Sequence, residues 1–356
     1  MSSVVHLRDV QTRPKIFTVW ERHRHTSAHW FVECFAEFVP TSVFMSFLPT
    51  NILRLGVGSQ ISFIAGGILK IDGLGSVLQI GLAYACGILF AVGICGPTSG
   101  GHFSTSITAT LTLFKGFPPL KALRTTPTLR PRYIVAQILG AYVACLLVYV
   151  QWYDIIKECE LALDAVGLLE TTLFTPQGPA GAFGLYTLPG LSLGRVFLNE
   201  FVTDVFLALV IWGSIDPTNI LITPQAAPWV IALGYGSAVW GFATPALAAN
   251  PARDIGGMFT ASGGRYAAIA ALTAIPATIV GVLIHEIFLA DYARGTSTTC
   301  ILPTKYTNRD PTNPVIPSAQ REYMDAHHNH AHVLAAAGSE MSESSSTRKE
   351  EIEHSV

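Results

Sequence analysis

The chain has 356 residues, of which 50% are hydrophobic by the broad count and only 13% are charged. Soluble domains carry about 25% charged residues, so a chain this long could not keep its folded surface wet, and a water-soluble protein is excluded. A formal net charge of -2 offers no basic stripe for nucleic acid, and the six cysteines, at 34, 86, 95, 145, 159 and 300, include no C-x-x-C pair. What remains is an integral membrane protein.

The first 29 residues are polar, with Arg8, Arg13, Lys15, Arg22 and Arg24. They are read as a tail, because the apolar stretch that follows is span-length and has no small-residue cleavage pattern. A spanning helix needs about 20 mostly apolar residues. Six stretches qualify: Trp30 to Leu48, Ser76 to Cys95, Tyr133 to Tyr153, Arg195 to Ile215, Ala226 to Thr244 and Tyr266 to Ile284. Leu55 to Leu69 is apolar but short and rich in Gly and Ser, and is expected to be an interfacial loop.

Positive charge gathers before the first span and in the loop with Lys115, Lys121, Arg124, Arg130 and Arg132. The alternate loops are poorer, which predicts that both termini are cytoplasmic, as an even number of spans requires. From about Thr296 the chain turns polar, with a histidine cluster at His327 to His332 and serine-rich runs. A metal site there competes with a solvated, disordered tail as its reading. The expected organisation is an N-terminal tail over 1–29, a membrane domain over 30–288 and a C-terminal tail over 289–356.

The membrane domain divides into two similar halves, about 30–153 and 195–288, joined by a long loop over 154–194. Glu37-Phe38-Val39 in the first span echoes Glu200-Phe201-Val202 in the fourth, and Arg132-Tyr133 echoes Arg265-Tyr266. Three spans per half is an odd number, so the halves insert with opposite orientation, and such repeats place their site at the membrane midplane. Each half also has a loop of small residues, too broken to span, of a kind tolerated only where it is covered or lines a watery cavity. Each loop is expected to end in a short helix, with Ser104 and Asn250 as N-caps and Pro251 at the first helical position. Two helix N-termini would then converge near the centre as a positive focus.

The NPARD run at Asn250 to Asp254, the SGGH run at Ser99 to His102 and the AEF run at Ala36 to Phe38 resemble the major intrinsic proteins, the aquaporin family. The resemblance implies an all-α membrane fold of six transmembrane helices and two re-entrant half-helices, a homotetramer with one pore per subunit, and no cofactor or metal. It implies pore-motif roles for Asn250, Pro251 and Ala252, with Ser104, Thr105 and Ser106 standing where the family has its first Asn-Pro-Ala. A serine still caps a helix, but its hydroxyl donates one hydrogen bond where an amide donates two.

Counting from the motifs places the family's selectivity ring at Tyr84, Ala238, Leu247 and Arg253, with Val239 the alternative to Ala238. A water-selective ring in this family carries a histidine where Ala238 stands. A wider, more apolar opening with one Arg suits a small polyol, and Asp254 and the long loop resemble the glycerol-conducting branch. The family uses the carboxylates at Glu37 and Glu200 to hold loop backbone amides, and His102 is read as a packing or hydrogen-bonding residue. Asp204 has no counterpart in the first half, where Thr41 falls; a hydrated helix end, a pairing with Asn199, a shielded acid and a proton-coupling group are all open.

The resulting expectation is a passive channel for glycerol, water and other small uncharged solutes, excluding protons and ions, in the plasma membrane. Alternatives are a broad pore for peroxide, urea or boric acid with little water flow, a carrier coupled through Asp204, and a non-conducting membrane organiser. No Walker loop or nucleophile elbow occurs, so an enzyme is not expected.

Overall fold

The computed structural model describes residues 14–25, 28–41, 52–116, 133–187, 190–242, 247–261 and 265–290, all within one unit, Met1–Arg294. Among the described residues there is no strand. The helices are α1 (Lys15–His25), α2 (His29–Thr41), α3 (Ile52–Leu69), α4 (Val77–Ser99), α5 (Thr105–Phe114) and α6 (Tyr133–Gln151). Then come α7 (Tyr153–Ala165), α8 (Leu169–Thr172), a 3-10 turn (Pro179–Ala182), α9 (Leu193–Ile215), α10 (Ala227–Phe242), α11 (Pro251–Ala261) and α12 (Arg265–Ile284). The last runs into a π-helical turn, His285–Leu289.

Among the described residues α4, α6 and α9 are individually long and apolar enough to cross a bilayer. They correspond to the second, third and fourth expected spans; α10 falls within the fifth, and α12 matches the sixth, starting one residue earlier at Arg265. The first expected span is described only over α2, since residues 42 to 51 lie outside the described residues, as do the loop cations from Lys121 to Arg132 and the His327 to His332 cluster.

Leu55 to Leu69 is not a loop. It is most of α3, which packs on α4, α6 and α7 and fully buries Val57 and Ala65. The glycines and serines that suggested a loop are packing residues. Gly56 lies under the Tyr84 ring and Gly58 beside the Trp152 indole, where a side chain would not fit or would crowd its neighbour. The Ser59 and Ser62 hydroxyls donate to the Gly56 and Gly58 carbonyls, at 2.7 and 3.1 Å, so helical structure satisfies them.

α4 packs along α10 at the junction of the two halves. Each short helix then packs against the last long helix of the opposite half, α11 on α6 and α5 on α12, which is the exchange an inverted repeat produces. The α11–α6 contact is close because Gly256 has no side chain: a Cβ there would overlap the Ala141 methyl and the Tyr142 backbone. The connection after α6 is more ordered than its loop reading: α7 buries Ile156, Cys159 and Leu163, and the turn at Pro179–Ala182 returns the chain to the core.

Candidate functional site

α5 has 10 residues and α11 has 11, or about 15 Å each, half the hydrocarbon thickness. Their N-termini meet. The Asn250 Nδ2 donates to the Phe103 carbonyl at 2.8 Å, joining the residues that lead into the two helices. Asn250 Oδ1 accepts from the Ala252 N–H at 3.0 Å, so this side chain caps α11, with Pro251 at its first position. One Nδ2 hydrogen of Asn250 is thus engaged and the second is left for another acceptor.

Ser104 occupies the N-cap position of α5 with an extended backbone, but its hydroxyl makes no capping bond. It faces the Ser106 hydroxyl at 3.0 Å instead, which corrects the capping expectation. Its shorter side chain turns to a neighbouring hydroxyl, not to the helix amides. Thr105, in the place of the family's proline, is buried, and among the described residues its hydroxyl has no hydrogen-bond partner. The turn before Ser104 is tight: Gly100, Gly101 and Phe103 all have positive φ, with Phe103 at 48°. A phenylalanine in the left-handed region is held there by its surroundings.

Those surroundings centre on Glu37 of α2. Its carboxylate accepts from the His102 N–H at 3.1 Å, the Phe103 N–H at 2.8 Å and the Gln137 Nε2 at 2.7 Å. Gln137 of α6 also donates to the Thr108 hydroxyl at 3.1 Å, and His102 Nδ1 lies 3.2 Å from the same hydroxyl. Tyr133 packs edge-on to the His102 ring and donates to the Ser99 carbonyl at 2.8 Å. In the second half, Glu200 of α9 accepts from the Ala248 N–H at 2.8 Å. Each carboxylate therefore fixes the backbone of its own half's broken loop. Gln137 carries no signal in the sequence, being a lone amide in an apolar run whose partners, Glu37 and Thr108, lie far along the chain.

Arg253 is buried at 6% exposure. Its guanidinium donates to Asp254 Oδ1 at 3.2 Å, Gln60 Oε1 at 3.3 Å and the Ala182 carbonyl at 3.4 Å. Gln60 is on α3 and Ala182 in the long connection, two segments the sequence reading did not connect with the site. The phenol of Tyr84, resting on Gly56, faces the same guanidinium. Tyr84 and Arg253 are therefore brought together. Leu247 is half-buried on the approach to Asn250, and Ala238 and Val239 are buried on α10.

Asp204 is neither a helix end nor paired with Asn199. It lies midway along α9 at 3% exposure, its Oδ2 without a partner among the described residues, and it neighbours Glu200 and Asp254. Asn199 donates instead to the Phe242 carbonyl at 2.9 Å.

The arrangement is two half-length helices that meet at their N-termini, with the loop before each held by a buried carboxylate, Glu37 of α2 or Glu200 of α9. The chain matches the family described as "Major intrinsic protein" over residues 24–285 and belongs to that family. Aquaporin-3 of Laccaria bicolor is 50% identical over 301 residues, covering 82% of this chain and 86% of that protein. The glycerol uptake facilitator protein of Pseudomonas aeruginosa is 32% identical over 230 residues, covering 64% and 72%. The solved aquaglyceroporin from Plasmodium falciparum shares the fold, with a TM-score of 0.57 at 20% identity over 73% of this chain and 97% of that one.

The chain is accordingly an integral membrane channel for water and small solutes. It is not an enzyme.

Proposed function

We propose that the channel passes glycerol and other small uncharged solutes together with water, and excludes protons and ions. The observation that carries this reading is the buried Arg253 fork, anchored on three acceptors and facing Tyr84, with alanine at position 238. A fixed cation repels cations and donates to hydroxyls, while the aromatic wall suits CH groups. Asn250 with its remaining N–H, and the two helix N-termini beside it, supply a second donor and a positive focus deeper in the passage. The ring is Tyr84, Ala238, Leu247 and Arg253, and the central motif is Asn250-Pro251-Ala252 facing Ser104-Thr105-Ser106. Glu37, Glu200, His102 and Asp254 support it.

The protein acts as a homotetramer of pores in the plasma membrane, with a channel domain over 30–288 and cytoplasmic tails over 1–29 and 289–356. Support for glycerol comes from the small residue at position 238 and from the likeness to a glycerol uptake facilitator. Stopped-flow light scattering on proteoliposomes tests it. A sucrose jump reports water and a glycerol jump reports re-swelling; glycerol re-swelling no faster than in empty vesicles, with water flow present, would overturn the glycerol reading.

A further inference from the structure

The spanning helices expose apolar side chains where acyl chains cover them, but α1 has no such excuse. Its 11 residues, KIFTVWERHRH, are about 16 Å long and cannot cross a bilayer. Even so, Ile16 is 73% exposed, Val19 53% and Trp20 44%, with Phe17 exposed beside them. At the helical period these four fall within an arc of about 160°, with Lys15, Thr18, Glu21, Arg22 and His25 on the rest of the circumference. His23 and Arg24 enter the apolar arc only in the last turn.

The place of α1 decides what can cover that face. The Ala28 N–H donates to the His23 carbonyl at 2.8 Å, and α2 begins at His29. Trp30, an interface-seeking residue, stands in the first turn of α2. α1 therefore ends within one turn of the start of α2, the helix whose beginning is read as the membrane entry. It carries Lys15, Arg22 and Arg24 against a single carboxylate, Glu21, and follows Arg8 and Arg13 in sequence. This charge complements lipid phosphate and carboxylate and repels a second copy of the same helix.

We propose that α1 lies in the plane of the bilayer surface, with Ile16, Val19 and Trp20 among the acyl chains, Lys15 on anionic headgroups and Arg24 reaching them from the helix end, making it a binding surface for anionic lipid. This rests on α2 entering the membrane and not on which solute the pore passes.

The test uses the full-length protein with Cys86 and Cys300 changed to Ser; Cys34, Cys95, Cys145 and Cys159 are buried. A nitroxide is attached at Ile16→Cys, Val19→Cys or Thr18→Cys, in vesicles of phosphatidylcholine alone or with about one-third phosphatidylserine. Collisions with oxygen, which partitions into lipid, are compared with those of a water-soluble nickel chelate. The expected result is oxygen-favoured contact at positions 16 and 19 and chelate-favoured contact at 18, the contrast growing about threefold with phosphatidylserine. The triple variant Lys15→Gln, Arg22→Gln, Arg24→Gln should lose that growth. Equal chelate access at all three positions in both vesicles would overturn the proposal. So would shielding of 16 and 19 from both reagents, which would mean that protein covers the face, or a triple variant that keeps the phosphatidylserine dependence.

Discussion

Asn250 donates to the carbonyl of Phe103 across 2.8 Å, although 147 residues separate them. That single bond ties the two inverted halves at the point where their short helices begin. The same side chain caps α11, so it serves local and long-range structure together.

Asn250→Ala removes both bonds. A lost cap costs about 1 kcal/mol and a lost buried hydrogen bond about 1 kcal/mol more. The variant should melt several degrees lower in detergent and conduct less glycerol per folded channel. An unchanged melting temperature would mean that the loops are held together elsewhere.

Gly56 is predicted from the packing to be as sensitive as any charged residue of the site. A methyl at Gly56→Ala would collide with the Tyr84 ring, which must then move while facing Arg253. Overpacking of this kind costs about 1–3 kcal/mol. Glycerol flux should fall more than water flux, since the larger solute feels the displaced ring first. Equal scaling of both fluxes would show that Tyr84 does not border the path.

The first loop can be returned to the family pattern. Ser104 has φ -140° and ψ 140°, the extended conformation that a residue before proline needs, and Thr105 is the first helical residue, where proline is favoured. Ser104→Asn with Thr105→Pro would supply a cap and remove a buried hydroxyl that has no partner among the described residues. A rise in melting temperature is expected, equivalent to about 1 kcal/mol. Destabilisation would mean that the Ser104–Ser106 contact matters more than the missing cap.

Outside the spans, burial pushes the Cys159 thiol on α7 from near 9 up to about 11, with Glu158 and Glu160 adding to it. The fold thus prefers the thiol form. Its contribution to stability is fully present below about pH 9 and is lost as the pH rises from 9 towards 11. Maleimide modification of Cys159 at pH 8 should be about 100-fold slower in the folded protein than after denaturation. Equal rates would show that α7 does not stay packed.

The half-helix geometry was legible because each loop is apolar enough to enter the membrane and too broken by small residues and capping signals to span it. Asn250 and Pro251 announce a helix start by chemistry alone, and α11 begins there. The helical nature of α3 was not legible, since Gly56, Gly58, Ser59 and Ser62 look like turn residues until their partners on α4 and after α6 are known. Gln60, Gln137 and the Ala182 carbonyl were missed for the same reason: a polar atom's role in a membrane protein depends on what faces it. The failed cap at Ser104 is a lesson in reach, because a short hydroxyl takes the nearest partner, here Ser106.

The most direct test compares glycerol re-swelling of proteoliposomes bearing the native chain with those bearing Ala238→Trp, at equal folded protein and with Arg253 intact. Rapid glycerol entry is expected through the native channel, with a loss of about tenfold or more in the variant and water flow less affected. Glycerol entry unchanged by the tryptophan would contradict it, because the solute would then be passing somewhere other than between Tyr84, Ala238 and Arg253.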